Sequence, residues 1–144
     1  MKLVILLIAA TVIYTIFDLL IAKAGGKLNG ALAAGIFHGI GAVIPLFIYL
    51  TSSSKNNIET TTPGLVYTLL AGVSIAAFSL ILVYLFSKAE NVSFILPVIY
   101  GGTVVLGTLA GVFLFKESLT TAGILGIILT SLGVGLIIYS RLSS

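Results

Sequence analysis

The stretch that decides the fold class runs from Leu3 to Ala22 and reads LVILLIAATVIYTIFDLLIA. A helix needs about 20 mostly apolar residues to cross the roughly 30 Å hydrocarbon core of a bilayer, and Asp18 alone interrupts this run. A barrel strand would alternate between apolar and polar residues over about 10 residues, which this stretch does not do. The run is also longer than the roughly 7–15 apolar residues of a signal peptide, so a cleaved leader is the less favoured interpretation.

Four more stretches of similar length and hydropathy follow, and Pro97 falls in the first turn of the third of them, where proline is tolerated. The five predicted membrane helices cover residues of about 3–22, 31–50, 65–86, 94–115 and 122–139. Connections this short predict that successive helices pack as antiparallel neighbours. The sequence therefore predicts an all-α membrane protein in which residues 1–144 form one five-helix domain.

Composition excludes most other classes of protein. Hydrophobic residues make up 59% of the chain and charged residues 8%, whereas a soluble domain has roughly 25% charged residues. A soluble enzyme, a nucleic-acid-binding protein and a disordered tail are all disfavoured. Cysteine is absent, and no P-loop, nucleophile elbow or dinucleotide motif is present. We expect no enzyme activity, no cofactor and no metal site, and a multi-pass protein of the plasma or inner membrane.

Basic residues are divided almost evenly between the two sides of the predicted bundle. Cytoplasmic loops normally carry the excess of Lys and Arg, and this excess sets the orientation. Lys2, Lys55 and Lys116 fall on one side; Lys23, Lys27, Lys88 and Arg141 fall on the other. This division is compatible with two outcomes. Either a weak orientation bias is resolved during insertion, or the chain inserts in both orientations. Two oppositely inserted copies would form an inverted repeat of the kind found in many transporters.

Glycines recur at helical spacing inside the predicted spans. Rows of small residues let membrane helices approach closely, either within one bundle or between partner chains, and packing within one bundle is the simpler interpretation. The residues concerned are Gly35 and Gly39, Gly107 and Gly111, and Gly126 and Gly133. Pro45 lies deep in the second span, where it removes a backbone hydrogen bond and predicts a bend.

Three polar residues within the first two spans are candidates for substrate binding or ion coupling. Asp18 is a functional candidate because an intramembrane carboxyl is costly to bury. The alternative is that Asp18 is solvated near the interface or paired with Lys23 or Lys27. His38 lies at a similar depth, and Tyr14 shares the face of Asp18 one turn earlier. A histidine that only packs and hydrogen-bonds is the more common case, and one His with one Asp falls short of a metal site.

Two segments of the chain resemble a known family. The segment YLFSKAENVSFILPV contains Pro97, and FKESLTTAGILGIILTSLGVGLI contains Glu117, Gly123, Gly126 and Gly133. With these residues the chain resembles a single EamA-type domain of the drug/metabolite transporter superfamily, best from about Leu69 to Ile138.

The resemblance implies a half-size transporter. Typical members have ten helices in two inverted five-helix halves, so it implies that this chain pairs with a second copy or with a partner subunit. The related small multidrug resistance proteins carry a membrane glutamate in their first helix. Asp18 lies later in its helix, so that glutamate's role is not transferred to it.

The sequence as a whole predicts a small-molecule secondary transporter that acts as a dimer by alternating access. Asp18 is the expected site of proton or cation coupling, with Tyr14 and His38 as supporting polar contacts. The alternative is a non-transporting scaffold or lipid-handling subunit of a larger complex. The expected partners are the lipid bilayer, a small-molecule substrate, and a second antiparallel copy or a paired subunit, with no nucleic acid.

Overall fold

A computed structural model of the chain describes residues 2–51, 61–88 and 91–143. These residues form five α-helices. The helices are α1 (Lys2–Ala24), α2 (Gly30–Thr51), α3 (Thr62–Ser87), α4 (Val92–Phe115) and α5 (Thr121–Leu142). All five are long and apolar enough to cross a membrane, which confirms the prediction of an all-α, multi-pass membrane protein. Lys55 and Glu90, in two of the predicted loops, lie outside the described residues.

Three of the helices begin at a polar side chain that caps the first turn. The Asn29 side-chain oxygen accepts hydrogen bonds from the backbone amides of Ala31 and Leu32 at 2.9 and 3.2 Å. The Thr61 and Thr120 hydroxyls accept in the same way at the starts of α3 and α5. Such caps satisfy amides that a helix start leaves without a partner. They explain why α3 begins three residues before the predicted start, since a cap lies in polar sequence outside the apolar run.

The chain divides into two compact units, Met1–Ala89 and Glu90–Ser144, which we call the N-terminal and C-terminal units. In the N-terminal unit α3 packs against both α2 and α1. α3 is thus the principal backbone partner of both α1 and α2, and the direct packing predicted for successive helices is found between α2 and α3 rather than between α1 and α2. The prediction of one five-helix domain stays a prediction. The buried residues of this unit are Asp18, Ile21, Ala33, Ala34, Ser79, Leu82, Val83 and Phe86.

The turn between α1 and α2 depends on two adjacent glycines. A Cβ atom on Gly25 would lie 2.8 Å from the carbonyl oxygen of Phe86, at the end of α3. Gly26 has a φ of +72°, a backbone conformation that other residues rarely adopt. Glycine at both positions therefore lets the turn rest directly on the backbone of α3.

In the C-terminal unit α4 packs against α5, and Gly101 is the site of closest approach. A Cβ atom there would overlap the Val134 side chain. Lys116 ends α4 in the left-handed conformation, and the amide of Glu117 then donates to the Gly111 carbonyl at 3.1 Å. This turn folds the Glu117 side chain back against Gly111. The acidic residue singled out by the family resemblance thus lies at the capped end of α4.

Most apolar side chains on these helices are exposed, and the described part of α5 has no buried residue. Lipid tails are as apolar as leucine side chains, so a membrane helix gains little by turning such residues inward. An outward apolar surface of this kind fits a protein surrounded by lipid and is atypical of one surrounded by water.

Candidate functional site

An open cavity of about 490 Å³ lies between α1, α2 and α3 of the N-terminal unit. Its walls are mostly aromatic and aliphatic, and among the residues that the structure describes no charged side chain lines it. The lining residues are Tyr14 and Phe17 from α1, Phe37, His38, Ile40 and Gly41 from α2, and Ile75, Phe78 and Ser79 from α3. A largely apolar cavity with a few polar groups is the usual form of a small-molecule site.

A continuous series of ring contacts connects α1 to α2 along this cavity. The Tyr14 and Phe17 ring centroids lie 5.7 Å apart, and Phe17 meets Phe37 edge to face at 5.2 Å. Phe37 then contacts the His38 ring at 4.6 Å. Contacts at these distances are attractive because the positive edge of one ring meets the negative face of another. These ring contacts therefore fix the α1 wall of the cavity relative to the α2 wall.

One hydrogen bond connects α2 to α3, and a second holds its serine within α3. His38 Nε2 lies 2.9 Å from Ser79 Oγ, and the Ser79 hydroxyl donates to the Ile75 carbonyl at 2.7 Å. The Ser79 side chain is 3% exposed, so both bonds are shielded from solvent. A buried polar group costs little once it is paired. The pair therefore makes His38 a fixed part of the cavity wall.

Asp18 lies directly after Phe17 and is 1% exposed, which makes it one of the two most deeply buried side chains of the described chain, with Leu82. Because α1 continues to Ala24, Asp18 lies six residues, or about 9 Å, before the helix end. Burial inside the protein argues against the alternative of a carboxyl solvated at the membrane surface. Asp18 is not among the lining residues; it lies in the protein interior beside the α1 wall of the cavity.

The structure thus brings Tyr14 and His38 together at one cavity and places Asp18 next to it in sequence. Sequence reasoning missed the aromatic residues Phe17, Phe37 and Phe78, which are three of the nine described lining residues. Two signals could have identified part of this site. Tyr14 and Phe17 are three residues apart on one helix, so they share a face, and Ser79 is a polar residue within an apolar span.

The glycines predicted to pack or dimerise contact little within their own units. At Gly35 and Gly39 of α2 a Cβ atom would have no neighbour within 4 Å among the described residues. The same holds for Gly107, Gly126 and Gly133. At Gly111 the nearest atom would be the carboxylate of Glu117, at 2.6 Å. These rows therefore leave space beside the helices, and their role in pairing with another chain stays a prediction.

Across the ranges that the structure describes, no three His, Cys, Asp or Glu side chains are grouped closely enough to hold a metal ion. Comparisons of the chain with protein-family models, with curated proteins and with solved structures find no match. The chemistry of the cavity is therefore the main guide to function.

Proposed function

We propose that this chain is a secondary transporter of the drug/metabolite type, which moves small molecules across a cell membrane by alternating access. The observation that carries the proposal is the burial of Asp18 within a membrane helix, beside an aromatic cavity of a size suited to a small organic molecule. A protein whose only task is to hold other subunits together gains nothing from such a carboxyl, since burying it costs free energy.

Asp18 is the proposed coupling residue. A carboxyl in a low-dielectric interior exchanges a proton when its surroundings change, because its charged form is stable only where water or a partner solvates it. A conformational change that opens the α1 wall of the cavity first to one side and then to the other would provide such a change. Tyr14 lies one turn away and lines the cavity, so movement of α1 would affect both the substrate and the proton.

The proposed assembly is a dimer in which two five-helix chains are inverted relative to each other. Three observations support it: five spans place the ends of the chain on opposite sides of the membrane, basic residues are balanced across it, and the glycine rows have open space beside them. An inverted pair provides two related halves, which is the arrangement that alternating access uses in many transporters.

Proton flux in proteoliposomes that contain the pH-sensitive dye pyranine tests the transport function. Phenethyl alcohol, phenethylamine and phenylacetate are added one at a time, because they share a ring that fits the cavity and differ in the charge of the head group. At least one should change the luminal pH faster in wild-type vesicles than in Asp18→Asn vesicles. The matched control is Thr11→Val, also in α1. The Thr11 hydroxyl donates to the Leu7 carbonyl of the same helix.

Asp18→Asn should abolish the coupled flux, while Thr11→Val should keep it. Equal flux in the wild-type, Asp18→Asn and protein-free vesicles for all three solutes would refute the transporter proposal and favour the scaffold or lipid-handling subunit. In that case the buried carboxyl has a structural role only.

A further inference from the structure

Pro45 deprives one backbone acceptor of the second helix of its usual donor. Residue 45 is a proline and has no amide hydrogen, so the carbonyl of Gly41, four residues earlier, lacks the donor that a helix normally provides. Gly41 lines the cavity. A Cβ atom on Gly41 would meet nothing within 4 Å among the described residues, so the space beside this residue is open.

The Ser79 hydroxyl on the α3 wall is already engaged, because it lies between His38 and the Ile75 carbonyl. The Gly41 carbonyl on the α2 wall, by contrast, has lost its usual donor. Unpaired carbonyls within a membrane are tolerated where neighbouring groups, water or a cavity satisfy them. A ligand that donates one hydrogen bond would satisfy this one.

The remaining wall determines the charge of that ligand. The rings of Phe17, Phe37 and Phe78 provide apolar faces, and no charged side chain is among the described lining residues. Asp18, the nearest acidic group along α1, is buried outside the lining. A charged head group would lose its hydration here without gaining an opposite charge, which is costly. An uncharged aromatic molecule with one donor avoids this cost.

We infer that the cavity binds uncharged aromatic molecules that carry one hydrogen-bond donor, such as alcohols, phenols and indoles, and that the Gly41 carbonyl accepts this hydrogen bond. The inference names the substrate class of the proposed transporter and so rests on that proposal. The site itself is a binding site that equilibrium measurements detect without any transport.

Indole fluorescence measures this binding directly, because the chain contains no tryptophan. The purified protein in lipid nanodiscs is titrated with 3-methylindole, which has an N–H donor, and with 1,3-dimethylindole, which has none; empty nanodiscs give the background. In the wild type we expect the donor to tighten binding roughly tenfold, the upper range for one hydrogen bond. Equal affinities for the two indoles in the wild type would overturn the inference.

Pro45→Ala separates the hydrogen bond from the shape of the cavity. The substitution restores a backbone amide that can donate to the Gly41 carbonyl. The ratio of the affinities for 3-methylindole and 1,3-dimethylindole should therefore fall towards one. The matched control, Pro97→Ala, removes a proline from α4 and should keep the full preference. An unchanged preference in Pro45→Ala would show that another group accepts the indole N–H. If Pro45→Ala does not fold, the ratio of the two indole affinities in the wild type and in Pro97→Ala still tests whether the donor tightens binding.

Competition tests the charge preference. Phenethyl alcohol should displace 3-methylindole at a concentration at least tenfold lower than phenethylamine or phenylacetate requires, and equal displacement by the amine would overturn the uncharged class. Thr11→Val, outside the lining residues, should bind 3-methylindole as the wild type does. Binding without coupled flux would refute the transporter alone, whereas flux without indole binding would refute the inferred ligand alone.

Discussion

The turn between α1 and α2 provides a test of how the N-terminal unit is held together. In Gly25→Ala the new Cβ atom would lie 2.8 Å from the carbonyl oxygen of Phe86 and 2.9 Å from its carbonyl carbon. It would also lie 3.1 Å from the carbonyl oxygen of Ala22. All three are backbone atoms, so no side chain can rotate away. The turn and the end of α3 must separate instead.

The expected cost follows from two opposing effects. Inserting a methyl group into well-packed structure costs about 1–3 kcal/mol. Alanine also restricts the unfolded chain more than glycine does, which returns about 0.4–1 kcal/mol. Phe86 is itself buried, so the shift also disturbs packed structure. We therefore expect Gly25→Ala to lower the free energy of unfolding by about 1–2 kcal/mol.

Unfolding by sodium dodecyl sulfate in mixed micelles, followed by circular dichroism, measures this difference. The control is Gly72→Ala in α3, where a Cβ atom would have no neighbour within 4 Å among the described residues. It should be neutral or stabilising by up to about 1 kcal/mol, since alanine favours a helix. If Gly25→Ala proved as stable as Gly72→Ala, the turn would not lie directly against the backbone of α3.

The hydrogen-bond pair and the membrane orientation give two more predictions. Ser79→Ala should destabilise the protein by about 1–3 kcal/mol because it leaves a His38 N–H unpaired, and adding His38→Phe should recover part of this loss; strictly additive effects would contradict the pairing. In the cysteine-free chain, Ser118→Cys and Ser143→Cys should each react with an impermeant maleimide from both sides of the membrane if the protein inserts in both orientations. Labelling of each from a single side would rule out the antiparallel homodimer and favour a paired partner subunit.

The membrane spans could be predicted from the sequence because a bilayer sets the length of a helix that crosses it. Their ends could not be placed as well, since caps such as Thr61 and the last turn to Leu142 lie in mixed sequence. Asp18, His38 and Tyr14 could be identified because polar groups are rare in apolar helices and costly to bury. Phe17 and Phe37 were missed for the opposite reason. In a membrane helix the face towards lipid and the face towards protein are equally apolar, so no period reveals which side lines a cavity.

The bond between His38 and Ser79 has a consequence for the hydrogen bonds that the His38 ring can form. A serine hydroxyl has one hydrogen, and here it is directed to the Ile75 carbonyl. Ser79 can therefore only accept from His38, which requires a hydrogen on Nε2. In the neutral ring Nδ1 then carries no hydrogen, so the imidazole can accept a hydrogen bond there while Nε2 holds α2 to α3.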